Sequence, residues 1–211
     1  MATKRNNEAV YKITITAIFM AIVVVVQLFL GGITVSGVSF SLVLVPIVIG
    51  GALIGKIGGT ILGFTFGIIT LINGLIGVDP FTSFLLHNTG TKGAIVTAAV
   101  CLVKATLAGF VSALIYSVLK NINQYLAVIL ASIAAPIVNT GVFVLVMIFV
   151  LSEELTLTMQ ALANINIAGI GIANYVILSL SGINFVVEFI VNAVLSPAIY
   201  SIVKAVKKGN I

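Results

Sequence analysis

Six apolar runs, divided by short polar or glycine-rich breaks, take up most of this chain of 211 residues. A helix crossing a bilayer needs about 20 largely apolar residues, and the candidates are residues 13–30, 42–55, 58–74, 98–119, 126–151 and 183–203. With 61% hydrophobic and only 7% charged residues, the composition excludes a soluble globular domain. The expected fold is therefore an all-α membrane protein, a single domain over residues 1–211 with six transmembrane helices.

The net charge of +5 is accounted for by topology, since most basic residues flank apolar runs. Basic runs with interleaved aromatics are missing, so nucleic acid is not an expected partner. With both termini cytoplasmic, the inner side receives Lys4, Arg5, Lys12, Lys56, Lys120, Lys204, Lys207 and Lys208, and the outer side Lys92. Counting residues 165–180 as a seventh span would reverse the last three, so that stretch is expected to be re-entrant or an outward extension of the last helix. The connections 31–41, 75–92 and 152–182 then all lie outside. The first is expected to be a loop or short hairpin and the second a loop.

Glycines 59, 63 and 67 fall on one helical face at a spacing that lets backbones approach closely in a membrane. No Gly-Lys-Ser/Thr follows, so they do not form a phosphate loop. One histidine and one cysteine make a metal site improbable. No nucleophile, zinc-hydrolase or ATP-binding motif is present, so neither enzymatic activity nor a cofactor is expected. Transport against a gradient would draw its energy from a partner or from an ion gradient.

The chemistry concentrates near the C-terminus. Asn184, Glu188, Asn192 and Ser196 recur every four residues and form one polar stripe on a helix. A carboxylate there costs about 2.5–3.5 kcal/mol on insertion scales, so the stripe should face other helices or a wet cavity. At 1.5 Å per residue, Lys104, Asn139, Glu188 and Asn192 reach the middle-to-outer depth of three different helices. The expected site is a polar cavity open to the outside, lined by Lys104, Asn139, Asn184, Glu188 and Asn192. Lys104 would pair with an acidic group of the ligand, and His87 is a further candidate from an outer connection. A purely structural reading has Lys104 neutralising Glu188 and the asparagines gluing helices together. Pro136 should kink the fifth helix near Asn139. On the first helix, Ala17 and Ala21 make a small-residue face, for internal packing or for docking to another membrane protein.

These residues carry a resemblance. Ala17-x-x-x-Ala21, Ser39-Phe-Ser before a helix containing Pro46, Ala135-Pro-Ile-Val-Asn-Thr-Gly141, and Asn184-Phe-Val-Val-Glu-Phe-Ile-Val-Asn192 with Ser196-Pro197 are similar to the substrate-binding S components of energy-coupling factor (ECF) vitamin transporters. The resemblance implies a plasma-membrane protein that captures a vitamin from outside. It also implies a membrane coupling subunit and two ATPases as partners, with Ala17 and Ala21 packed on the coupling subunit. The fifth- and sixth-helix motifs look most like the pantothenate branch; other branches carry riboflavin, folate or pyridoxine-like and pyrimidine compounds. A stand-alone ion-coupled transporter is the competing class, although no internal repeat supports it.

Overall fold

The computed structural model describes residues 2–30, 34–35, 38–39, 42–164 and 171–208. Within them the chain forms helices α1 (Ala2–Leu30), α2 (Leu44–Ile54), α3 (Lys56–Leu75), α4 (Pro80–Asn88), α5 (Gly90–Leu119), α6 (Gln124–Phe149), α7 (Ser152–Ala163), α8 (Ile172–Asn174) and α9 (Gly182–Lys208). A two-residue hairpin, Thr34–Val35 against Val38–Ser39, sits between α1 and α2. Five of the helical segments are long and apolar enough to cross a membrane. The second expected span is shorter, an α2 of only 11 residues. It is apolar all round and buried from Leu44 to Ala52 apart from Val45, as a helix enclosed by others must be. By contrast α1 lies at the periphery, with most of its residues exposed.

Gly55, at φ 100°, makes the turn from α2 into α3, a backbone conformation that glycine adopts without a Cβ clash. Behind that turn the expected glycine face does its packing. A methyl group at Gly59 would come within 2.5 Å of the Gly109 carbonyl oxygen, and one at Gly67 within 2.8 Å of that of Cys101. Gly63 meets the Ala105 carbonyl in the same way. The α3 and α5 backbones therefore touch along three turns, α6 packs on α5, and α9 closes on α6.

Two apolar cores result. One surrounds α2 and includes Leu44, Ile47, Leu62, Phe66, Ala105, Val128 and Ile199. The other lies toward the far end and gathers Phe81 and Leu85 of α4, Phe143 and Met147 of α6, Leu155 and Met159 of α7, and Tyr175 and Val176.

That far end differs from the loops expected there. Residues 75–92 are not a loop: α4 occupies Pro80–Asn88, because Pro80 at the first helical position fixes a helical φ and Phe81 and Leu85 supply a buried face one turn apart. The helix then hands over almost directly to α5, which starts eight residues before the expected core at 98. In the third connection, α7 begins with Glu153 and Glu154, which favour a helix N-terminus electrostatically. Glu154 also pairs with Lys92 of α5 at 3.0 Å. Of the stretch 165–180, residues 165–170 lie outside the described residues. The remainder is helical from Ile172, through a π-turn over Tyr175–Leu180, and leads into α9 after a bend at Ser181. α6 runs through Pro136 without a break in the helix, although Pro136 leaves the Ser132 carbonyl without its usual amide donor.

The glycine face gives a direct test. Gly63→Leu should destabilise the protein by about 1–3 kcal/mol or prevent folding, since carbonyl backbone cannot move aside. Gly141→Ala, where a Cβ meets nothing within 4 Å, should leave thermal stability in detergent unchanged or raise it slightly.

Candidate functional site

A cavity of about 50 Å³ lies between the two cores. Its apolar wall draws on both, with Phe66 from the first and Phe81 and Phe143 from the second. The polar wall contains Lys104 of α5, Asn139 and Thr140 of α6, and Asn184 and Glu188 of α9. Four of the residues expected at the site are thus brought together by three helices. The stripe on α9 is buried throughout, Asn184 at 6%, Glu188 at 4%, Asn192 at 0% and Ser196 at 3% exposure, so it faces protein and not lipid.

Two expected residues stand elsewhere. Asn192 is one helical turn beyond Glu188 and does not line the cavity; its amide donates to the Glu188 carbonyl at 2.8 Å. His87 is exposed near the end of α4 and also outside the lining, its Nδ1 2.9 Å from the Ser83 carbonyl oxygen of its own helix. The four-residue period fixed the direction of Asn192 but not the floor of the cavity. For His87 the loop expectation failed: once α4 is a helix, Phe81, Thr82 and Leu85 take its inward face and His87 points out.

The cavity also holds residues not singled out from the sequence. Gln27 reaches it from α1 and Thr70 from α3, while Asp79 and Thr82 come from the start of α4 and Ser181 from the bend before α9. Gln27, the sole polar side chain among residues 21–30, was legible as a depth marker. Asp79 immediately precedes Pro80 and α4. Its side chain is nevertheless 5% exposed; Thr82 donates to Oδ2, and Oδ1 has no protein donor. Other buried oxygens in the lining without a hydrogen-bond partner among the described residues are Gln27 Oε1, Asn139 Oδ1 and Ser181 Oγ. Buried polar atoms are nearly always hydrogen-bonded, so these oxygens give the lining a polar character that its own side chains do not fully satisfy.

Lys104 is half-buried, its Nζ 5.1 Å from the centroid of the Phe143 ring. That contact stabilises an ammonium in an apolar wall without consuming its hydrogen-bond donors. The volume of about 50 Å³ admits a few waters, against roughly 300–1,000 Å³ for a ligand of drug size. Among the described residues no cluster of three or more His, Cys, Asp or Glu side chains could hold a metal ion.

On the opposite flank Ala17 and Ala21 are both exposed, so their face is available and not used for packing inside the protein. Ala17 lines an apolar groove between α1 and α3 with Ile13, Met20, Ile57 and Ile61, and Lys12 and Lys56 stand at one end of it.

No curated protein and no solved structure matches the chain. A family model does: that of the ECF transporter substrate-specific component, over residues 11–200. The match takes in α2 to α7 entire and most of α1 and α9, with all the cavity residues and the exposed alanines, and the chain belongs to this family of membrane transport subunits.

Proposed function

We propose that the protein captures a small vitamin at the outer face of the plasma membrane and passes it to an energising module of one coupling subunit and two ATPases. The observation that carries this reading is the polar cavity enclosed between two apolar cores. In a structural role, paired side chains would satisfy one another, whereas here Asp79, Gln27 and Asn139, which line one cavity, each keep a buried oxygen without a protein donor. Both termini are cytoplasmic in this reading, which puts α4, α7 and α8 on the outside as a cap. Because the cavity is smaller than a vitamin, capture requires the cap to give way. The second core is the part of the structure that must shift.

Lys104 gives the ligand an anchor for an acceptor or carboxylate, and on that basis pantothenate, with a carboxylate, an amide and hydroxyls, is the first candidate. Asp79 and Glu188 favour a second reading, since two carboxylates face one ammonium in the lining. Vitamins with a basic nitrogen, such as pyridoxine-like or pyrimidine compounds, match that balance.

The exposed Ala17–Ala21 face is the proposed seat of the coupling subunit, where small side chains permit close helix approach. Ala17→Trp is expected to abolish uptake in cells that carry the energising module while ligand binding by purified protein stays within about twofold. Lost binding would place that face inside the protein's own packing.

Lys104→Met keeps the length and the apolar stem and removes the charge. It should weaken ligand binding by about tenfold or more, the loss expected for one charge-assisted hydrogen bond, at unchanged expression. Equal binding by both proteins in a titration would make Lys104 a structural residue.

A further inference from the structure

The groove between α1 and α3 shares no lining residue with the polar cavity and is far larger, about 710 Å³. We infer that it is a binding site for an anionic phospholipid, with an acyl chain along the groove and the phosphate at Lys12 and Lys56. The inference goes beyond the capture reading and does not depend on what the cavity holds.

Most of the lining is hydrocarbon. Ile13, Ala17 and Met20 come from α1, Ile54 from the end of α2, and Ile57 and Ile61 from α3. Ile13 is 69% and Ile57 78% exposed, so the groove opens sideways on helices that are long and apolar enough to span a membrane. Lys12 to Met20 covers about 12 Å along α1, close to the ~15 Å of hydrocarbon in one leaflet. The polar groups gather at one end. Lys12 stands near the start of the α1 span, and Lys56 is the first residue of α3. Both are exposed, and among the described residues neither forms an ion pair, even with Glu8 one turn before Lys12. No side chain caps the start of α3, whose first amides at Lys56, Ile57 and Gly58 have no acceptor within their helix. Two ammonium groups beside an uncapped helix N-terminus supply the donors and the positive field that a phosphate takes.

The two parts together select the occupant. A soluble anion would meet the lysines and leave the apolar length of the groove bare. A neutral chain would fill that length and leave two cations unanswered. A zwitterionic lipid brings its own cation to the lysine end, whereas an anionic one arrives with net negative charge. Two lysines near a membrane surface favour such a lipid by about tenfold or more. Ala17 is shared with the face proposed above for the coupling subunit, and the lipid is the occupant while that face is free.

The test is native mass spectrometry of the full chain in mild detergent, titrated with phosphatidylglycerol, with phosphatidylcholine of the same acyl chains, and with glycerol 1-phosphate as the headgroup chemistry alone. Phosphatidylglycerol should bind about tenfold or more tightly than phosphatidylcholine, and glycerol 1-phosphate should not displace it. Lys12→Gln combined with Lys56→Gln should reduce that preference to about twofold or less, while Lys120→Gln with Lys204→Gln, outside the groove, should keep it. Ala17→Phe fills the groove and should weaken both lipids with the lysines in place. Should a variant fail to fold, the wild-type preference still decides. Equal affinity for the two lipids, or a preference that survives Lys12→Gln with Lys56→Gln, would overturn the inference. Displacement by glycerol 1-phosphate would assign the lysines to a soluble anion, and a lipid-free dimer would assign the groove to a second copy of the chain; either overturns it. Loss of uptake in cells carrying Lys12→Gln with Lys56→Gln, at unchanged lipid binding, would assign the lysines to the coupling subunit and overturn it as well.

Discussion

A carboxylate surrounded by lipid loses its hydration, and the placement of Glu188 in an apolar helix is the constraint that the rest of the structure meets. The α9 stripe turns inward, and Asn184 and Ser196 are buried along with Glu188. For that stripe to find partners, α5 and α6 must present Lys104 and Asn139 at the same depth. They can do so because α3 and α5 lie backbone to backbone along Gly59, Gly63 and Gly67, which fixes the height and rotation of α5. The polar cavity thus depends on a stripe of glycines that contributes no atom to its chemistry.

The two cores divide the work. The one around α2 is made of residues close to fully buried, with no charged group among them, and sets the helices in register. The core under α4, α7 and α8 is smaller and forms the roof of the cavity. The Lys92–Glu154 pair pins the start of α7 to the start of α5 across that roof, with Glu154 almost wholly buried. At the opposite end, Tyr116 accepts hydrogen bonds from Lys207 at 2.8 Å and Gln124 at 3.2 Å, which ties α5, α6 and α9 together away from the site. One end is therefore clamped by side chains of three helices and the other is closed by short helices, an asymmetry that suits entry from the capped side.

Much of this was legible because membrane helices obey few rules. Length and apolarity gave the long helices, four-residue spacing gave the buried face of α9, and glycine spacing gave the α3–α5 contact. What could not be read was which residues of the connections become helical. The segment 75–92 looked polar, yet Phe81 and Leu85 were enough, with Pro80 ahead of them, to build α4 into the second core. That error hid Asp79 and misplaced His87 together, since both depend on the direction of one short helix. Asn192 was a different case: its face was right, but the depth at which Phe66 and Glu188 close the cavity is a property of packing between helices. The small-residue face on α1 was ambiguous in sequence, because small residues serve internal and external packing alike. Exposure of Ala17 and Ala21 shows that it does not pack inside the protein.

The central claim is that the cavity between the cores holds a small organic ligand. Its most direct measurement is small-molecule mass spectrometry of the protein purified in mild detergent, quantified per mole of protein. The account predicts one vitamin-like compound at near-stoichiometric amount, released on denaturation and retained in the absence of sodium. A protein that carries no such compound, and takes none up from a mixture of water-soluble vitamins, would contradict it.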